Sequence, residues 1–205
     1  MNSKAIFKDT LILFIITVIS GCLLGYVYGL TKDPIARQQE ETKLNAYSQV
    51  MQNASDFKEE FKDQIKDSAT ALTDNYGTNG IEIINALTAY DQEEIIGYVI
   101  QVVDKDGFNG DIEITVGIDT EGVITGVEIL SIDETVGLGM NAQNEEFRNQ
   151  YVGKKVESFT VTKSGSKNDN EIDALSGATI TSNAMTYGVN GALDFYNIYI
   201  VNEGR

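Results

Sequence analysis

An α+β domain carried by a single N-terminal transmembrane helix is the fold this sequence predicts, and three observations predict it. Leu11 to Leu30 is an uncharged apolar run of about 20 residues, which at about 1.5 Å per residue spans the hydrocarbon of a bilayer. Ile112, Ile114, Val116 and Ile118 alternate with Asp111, Glu113, Thr115 and Gly117, the period of a half-buried strand. Met185, Val189, Leu193, Tyr196 and Ile200 recur every three or four positions, the period of an amphipathic helix that closes the chain. Strands followed by a terminal helix give an antiparallel sheet with helices packed on it.

Residues 1–31 read as a cytoplasmic N-terminus and the membrane helix. A cleaved signal peptide would have a shorter apolar core and a small-x-small cleavage site. Ile19-Ser20-Gly21-Cys22 also fits a lipoprotein signal, but Leu23 to Leu30 stay apolar, which continues a span and does not suit a polar tether. Both readings attach the domain to a membrane, and an intact mass beginning at Cys22 would mark lipidation. Lys4 and Lys8 before the span nearly balance Lys32 and Arg37 after it, so only the terminal amine tips the basic count towards a cytoplasmic N-terminus.

Residues 32–80 read as an amphipathic helical segment and linker. Asp33-Pro34 resembles an N-cap followed by proline at the first helical position, where its missing N–H costs nothing. Tyr47, Met51, Ala54, Phe57, Phe61 and Ile65 keep helical spacing and predict one or two helices to about Ala69. Thr73 to Gly80 is rich in turn formers and marks a boundary.

Residues 81–205 read as the functional domain. Ala86 to Tyr90, Ile95 to Val103, Ile112 to Ile118 and Val123 to Ile132 predict an antiparallel meander, with Asp119-Thr120-Glu121-Gly122 as a hairpin turn. Ala142 to Tyr151 predicts a short helix, Ser158 to Thr162 a strand, Ser164 to Glu171 a polar loop, and Ile180 to about Ile200 the closing helix.

Composition excludes several chemistries. In 205 residues there are 15 basic and 31 acidic side chains, a net charge of -16, which disfavours nucleic acid and anionic lipid surfaces. There is no histidine, and the single cysteine, Cys22, lies in the apolar run. A four-cysteine iron-sulfur cluster, a Cys/His zinc site and a histidine-based nucleophile are therefore all excluded, and no metal site is expected. A redox cofactor would have to be held by hydroxyls, amides and backbone.

Asp173-Ala174-Leu175-Ser176-Gly177-Ala178-Thr179-Ile180-Thr181-Ser182 is a loop of small residues that feeds the closing helix. Free N–H groups and the positive dipole end at a helix start suit a phosphate; a plainer reading has Ser176 or Thr179 capping the helix. The loop resembles the Ser/Thr-Gly-Ala-Thr flavinylation motif of the FMN-binding domain family, found in the G subunit of Rnf complexes and the C subunit of sodium-pumping quinone reductases. Gly107-Phe108-Asn109-Gly110 resembles that family's Gly-aromatic-x-Gly entry to a strand, and Glu134-Thr135-Val136-Gly137-Leu138-Gly139 its Glu-Thr-Pro-Gly-Leu-Gly loop. Val136 departs from the proline and leaves this loop without a locked φ.

The resemblance implies FMN joined through its phosphate to Thr179, with Ser176, Gly177, Ala178 and Thr181 around the attachment. It implies that Glu134, Thr135 and Leu138 flank the flavin ring, and that Asp173 is needed by a flavin transferase that delivers FMN from FAD with magnesium. Glu134 as a solvated acid, Leu138 as core and Asp173 as a turn former are the plainer alternatives. Thr181 and Ser182 are expected to point along the helix surface. The function implied is that of the electron-carrying G subunit of an Rnf-type ferredoxin:NAD oxidoreductase, partnered by the other Rnf subunits, with its domain outside the membrane. A flavinylated carrier of another electron path and a non-redox membrane-anchored module remain the alternatives.

Overall fold

The first of two units covers Met1–Lys43 and the second Leu44–Arg205; the computed structural model describes residues 3–72, 76 and 80–201. Helix α1 spans Ser3–Val50. It contains a stretch long and apolar enough to cross a membrane, and none of that stretch is buried within the protein. The helix start expected at Asp33-Pro34 does not occur, because Pro34 lies inside α1. An interior proline forfeits one backbone bond, at about 3 kcal/mol. The good helix formers that follow, Ala36 to Glu41, carry the helix through it.

The second unit opens with the end of α1, where Ala46, Tyr47 and Val50 are buried together with Met51 just beyond it. Strand β1 (Asp56–Glu59), helix α2 (Lys62–Ala71) and strands β2 (Ile81–Asp91), β3 (Glu94–Asp104), β4 (Ile112–Asp119) and β5 (Ile124–Ser131) follow. The five strands form one antiparallel meander in the order β1-β2-β3-β4-β5. The helix expected through Phe57 is replaced by β1, whose backbone pairs Asp56 with Tyr90 and Glu59 with Leu87. Helical spacing from Tyr47 to Ile65 is here shared among α1, β1 and α2, and the edge pairing that makes Phe57 a strand residue is non-local. The boundary expected at residues 80/81 therefore falls inside a single unit, and the turn-rich stretch Thr73 to Gly80 lies largely outside the described residues.

Beyond β5, a 3-10 turn (Gly139–Gln143) and helix α3 (Glu145–Arg148) replace the single helix expected from Ala142 to Tyr151. Asn144 separates them in an extended conformation, ψ 137°, and its carbonyl accepts the Phe147 and Arg148 N–H groups. Strands β6 (Thr160–Thr162) and β7 (Glu171–Asp173) make a parallel pair. β7 begins at the last residue of the expected polar loop, because three residues are too few to display a period. Helix α4 (Thr179–Phe195) closes the fold and ends in a π turn, Tyr196–Val201.

Met185, Val189, Leu193 and Phe195 of α4 pack on Ile100, Val102, Ile114 and Ile118 in the main core. A second cluster, Tyr47, Val50 and Met51 with Leu87, Ala89 and Val99, also packs on the sheet. Thr115 is fully buried although its place in the alternation predicts exposure. Gly117 and Gly126 clear the seat of α1's end: a Cβ on Gly126 would lie 2.7 Å from Val50 Cα, and one on Gly117 2.5 Å from Val50 O. The Thr125 hydroxyl donates to the Val50 carbonyl and the Tyr47 hydroxyl to Gln101 Oε1 (3.0 Å), joining this helix end to the sheet.

Candidate functional site

Three segments that leave regular structure meet beside the start of α4. The first follows β3. The Asp106 N–H donates to Asp104 Oδ1 (2.8 Å), and the Phe108 N–H donates to Glu134 Oε1 (2.7 Å), which ties the Gly107-Phe108 turn to the second segment. Gly107 admits no side chain, because a Cβ there would collide with the Gly110 carbonyl. In the second segment, after β5, the Leu138 and Met140 N–H groups both donate to the Thr135 carbonyl, and Gly137 takes the positive φ (78°) that this turn requires. The third segment is the Leu175–Ala178 loop, turned by Gly177 at φ 73° and closed by the Ala178 N–H on the Leu175 carbonyl (3.0 Å).

Between them lies a cleft of about 380 Å³. Its apolar wall is Phe108, Leu138 and Ile180, which are 62%, 41% and 50% exposed, large side chains left without core partners. Its floor is polar: Glu134 and Thr181 are 5% and 1% exposed. Gly139 lets them approach, since a Cβ there would lie 2.6 Å from Thr181 Oγ1 and 2.7 Å from Glu134 Oε2. Ala178 is the N-cap of α4 and no side chain caps the helix, so neither Ser176 nor Thr179 performs the capping role open to it. Among the described residues the Thr179 hydroxyl has no hydrogen-bond partner, and the cleft is lined by no lysine or arginine.

Glu134, Thr135, Leu138, Gly177, Ala178, Thr179 and Thr181 line this one cleft. Ser176 and Asp173 do not line this cleft; they face a separate groove with Asn141, Asn144 and Gln150. There the Asp173 N–H donates to Gln150 Oε1 (2.7 Å) and its carboxylate accepts the Ser166 hydroxyl (3.1 Å). Glu134 is not a solvated acid, Leu138 is not core, and Thr181 and Ser182 are buried, not set along the helix surface. Phe108, Gly139 and Ile180 were not among the expected site residues. Phe108 and Gly139 belong to the two motifs already singled out, whereas Ile180 falls out of step with the buried stripe of α4.

Asp104, which holds the first segment, is buried and its Oδ2 has no partner. Burial raises its carboxyl from 3.8 to about 7, with Asp106 and Asp111 adding repulsion while the Asp106 N–H opposes the rise. The folded chain therefore holds this proton more tightly than the unfolded chain. The contribution of Asp104 to stability is fully present below about pH 4 and is lost as pH rises towards 7, by up to about 1.4 kcal/mol per pH unit. Asp104→Asn should flatten this slope and raise the melting temperature above pH 7, with no gain at pH 4. Thermal unfolding across that range checks it, and an unchanged slope would remove Asp104 as its source.

A family model described as the FMN-binding domain matches residues 107–194, and one described as the RnfG N-terminal region matches residues 1–50. The chain is 31% identical over 195 residues to the G subunit of the Na(+)-translocating ferredoxin:NAD(+) oxidoreductase complex of Acetobacterium woodii, covering 94% of this chain and 92% of the relative. This chain belongs to the G-subunit family of ion-translocating oxidoreductase complexes. A second member, the G subunit of the proton-translocating ferredoxin:NAD(+) oxidoreductase complex of Clostridium ljungdahlii, is 33% identical over 193 residues, covering 94% of this chain and 92% of its own length. The fold is similar to the crystal structure of the C subunit of the Na(+)-translocating NADH-quinone reductase from Parabacteroides distasonis, with TM-score 0.52 and 18% identity over 78% of this chain and 94% of that one. Every residue that lines the cleft lies within the stretch matched to the FMN-binding domain.

Proposed function

We propose that this chain is the G subunit of an Rnf-type ferredoxin:NAD oxidoreductase, a membrane-anchored carrier that passes electrons through FMN bound covalently to Thr179. The observation that carries the reading is a free threonine hydroxyl at an uncapped helix start, inside a cleft with an apolar wall and a polar floor. Phe108, Leu138 and Ile180 offer the apolar surface that a flavin ring needs, Glu134 and Thr181 offer polar groups to its edge, and the first N–H groups of α4 suit a phosphate. FMN, when bound, supplies the electron-transfer chemistry; the protein supplies position and electrostatics.

The same electrostatics favour a covalent link. A free phosphate monoester carries roughly -1.5 to -2 at neutral pH, and this cleft offers it Glu134, no cation, and a chain of net charge -16. Esterification leaves the phosphate one charge and removes the need for strong non-covalent affinity. In the attachment, Thr179 Oγ1 would bond to the FMN phosphorus of FAD as the pyrophosphate bond breaks, with AMP as the leaving group and the hydroxyl proton released. A flavin transferase with magnesium is the catalyst, and Asp173, exposed ahead of the loop, is available to it. On this reading the domain lies on the outer side of the membrane, with the remaining Rnf subunits as partners. Relatives named for sodium and for protons are similarly close, so the coupling ion forms no part of the reading.

Coexpression with a flavin transferase should give a fluorescent band in a denaturing gel at the chain's 22.5 kDa, and membrane extracts should copurify other Rnf subunits. A colourless chain under those conditions would leave the non-redox module standing. A flavinylated chain without Rnf subunits would point to another electron path.

A further inference from the structure

Helix starts ordinarily spend a serine or threonine hydroxyl on capping, and this one spends none of those in its loop. Ser182, one turn into α4 and 0% exposed, supplies the contacts instead. Its hydroxyl accepts the Leu175 N–H (2.9 Å) and donates to the Ala178 carbonyl (2.9 Å), while its own N–H donates to the same carbonyl (3.0 Å). With the Ala178 N–H on the Leu175 carbonyl, both ends of the Leu175–Ala178 turn are fixed from inside the helix. We infer that Ser182 is a positioning residue for flavin attachment, the group that holds this turn closed so that the Thr179 hydroxyl stays free and directed into the cleft. The inference rests on the attachment reading above and adds a residue to it that touches neither the flavin nor the reacting oxygen.

The neighbouring hydroxyl on the same face supplies a control. Thr186 bonds the Ser182 carbonyl (2.8 Å) and the buried Tyr151 hydroxyl (2.9 Å), one turn farther from the loop. Thr186→Val therefore disturbs the packing of α4 without touching the turn, whereas Ser182→Ala removes the acceptor of the Leu175 N–H and adds no bulk.

The test uses the full chain in membranes with a flavin transferase present. Flavin loading is followed by in-gel fluorescence, exchange of the Leu175 amide by mass spectrometry, and stability by thermal unfolding. A net hydrogen bond biases a local equilibrium by roughly fivefold to tenfold. Ser182→Ala should therefore load about tenfold more slowly and exchange the Leu175 amide about tenfold faster. Thr186→Val should load at the wild-type rate even if it melts at as low a temperature as Ser182→Ala. Loading of Ser182→Ala at the wild-type rate, or equal slowing in both variants, overturns the inference while the attachment reading stands. A wild-type chain that takes no flavin overturns both.

Discussion

Thr179→Val is expected to carry no covalent flavin at all. The substitution keeps the branched shape and deletes only the oxygen that would form the phosphoester. Its structural cost should be small, because the Thr179 hydroxyl has no partner among the described residues and the side chain is half-buried. Thr181→Val is the matched comparison: it removes a hydroxyl from the floor of the same cleft and should leave attachment detectable. Position separates the remaining candidates, since Ser176 faces the neighbouring groove and Ser182 is committed to Leu175 and Ala178. Peptide mass mapping decides the matter. An FMN mass on a peptide with unmodified Thr179, or fluorescence that persists in Thr179→Val, would overturn the assignment and the mechanism built on it.

Two truncations should behave in opposite ways. Removing Met1 to Leu30 should release a soluble domain that still takes up flavin, because the second unit begins only at Leu44. Removing Met1 to Met51 should give an insoluble chain without flavin. That cut takes away Tyr47, Val50 and Met51, all buried, and opens the seat cleared by Gly117 and Gly126. Each such side chain contributes about 1.5–3 kcal/mol by burial, so their joint loss is comparable with the roughly 5–15 kcal/mol that holds an ordinary domain together. Soluble yield and in-gel fluorescence of the two fragments report the outcome. A soluble, flavin-loaded product of the longer truncation would show that the end of α1 is not integral to the domain.

The contrast between these cuts follows from where the sequence was legible. Residues 32–80 look like a linker because their apolar residues keep a helical period and lack a strand's alternation. The structure divides that stretch among the end of a helix, an edge strand and a short helix, since β1 exists by virtue of its pairing with Tyr90 to Leu87. Thr115 and Gly117 likewise read as the solvated side of a strand. They are buried because helix α1 ends on that face, a contact between residues about as far apart in sequence as Val50 and Thr125, which no local pattern records.

The site was legible in identity more than in arrangement. The three motifs pointed to Glu134, Leu138 and Thr179 through their resemblance to the FMN-binding domain family, and the structure gives their glycines a physical role, since Gly137 and Gly177 take positive φ and Gly107 has no room for a Cβ. Their spacing carried no information on which side of the turn Asp173 and Ser176 would face, nor on the inward direction of Ser182. Those depend on how β7, the Gly177 turn and α4 are placed against Gln150 and the core.

By itself the sequence determined an apolar helix long enough to cross a membrane, the sheet-plus-helix class, the exclusion of histidine and cysteine chemistry, and the threonine-bearing loop. These properties are carried by composition, by periods of two and 3.6 residues, and by short-range steric demands, all of which act within a few residues of the chain. Tertiary structure alone decided the edge strand β1, the burial of the sheet's second face, and the pairing of an apolar wall with a carboxylate floor. Each of these is a contact between segments distant in sequence. Its free energy comes from surface removed from water and polar groups paired across that distance, and so exists only once the chain has closed on itself.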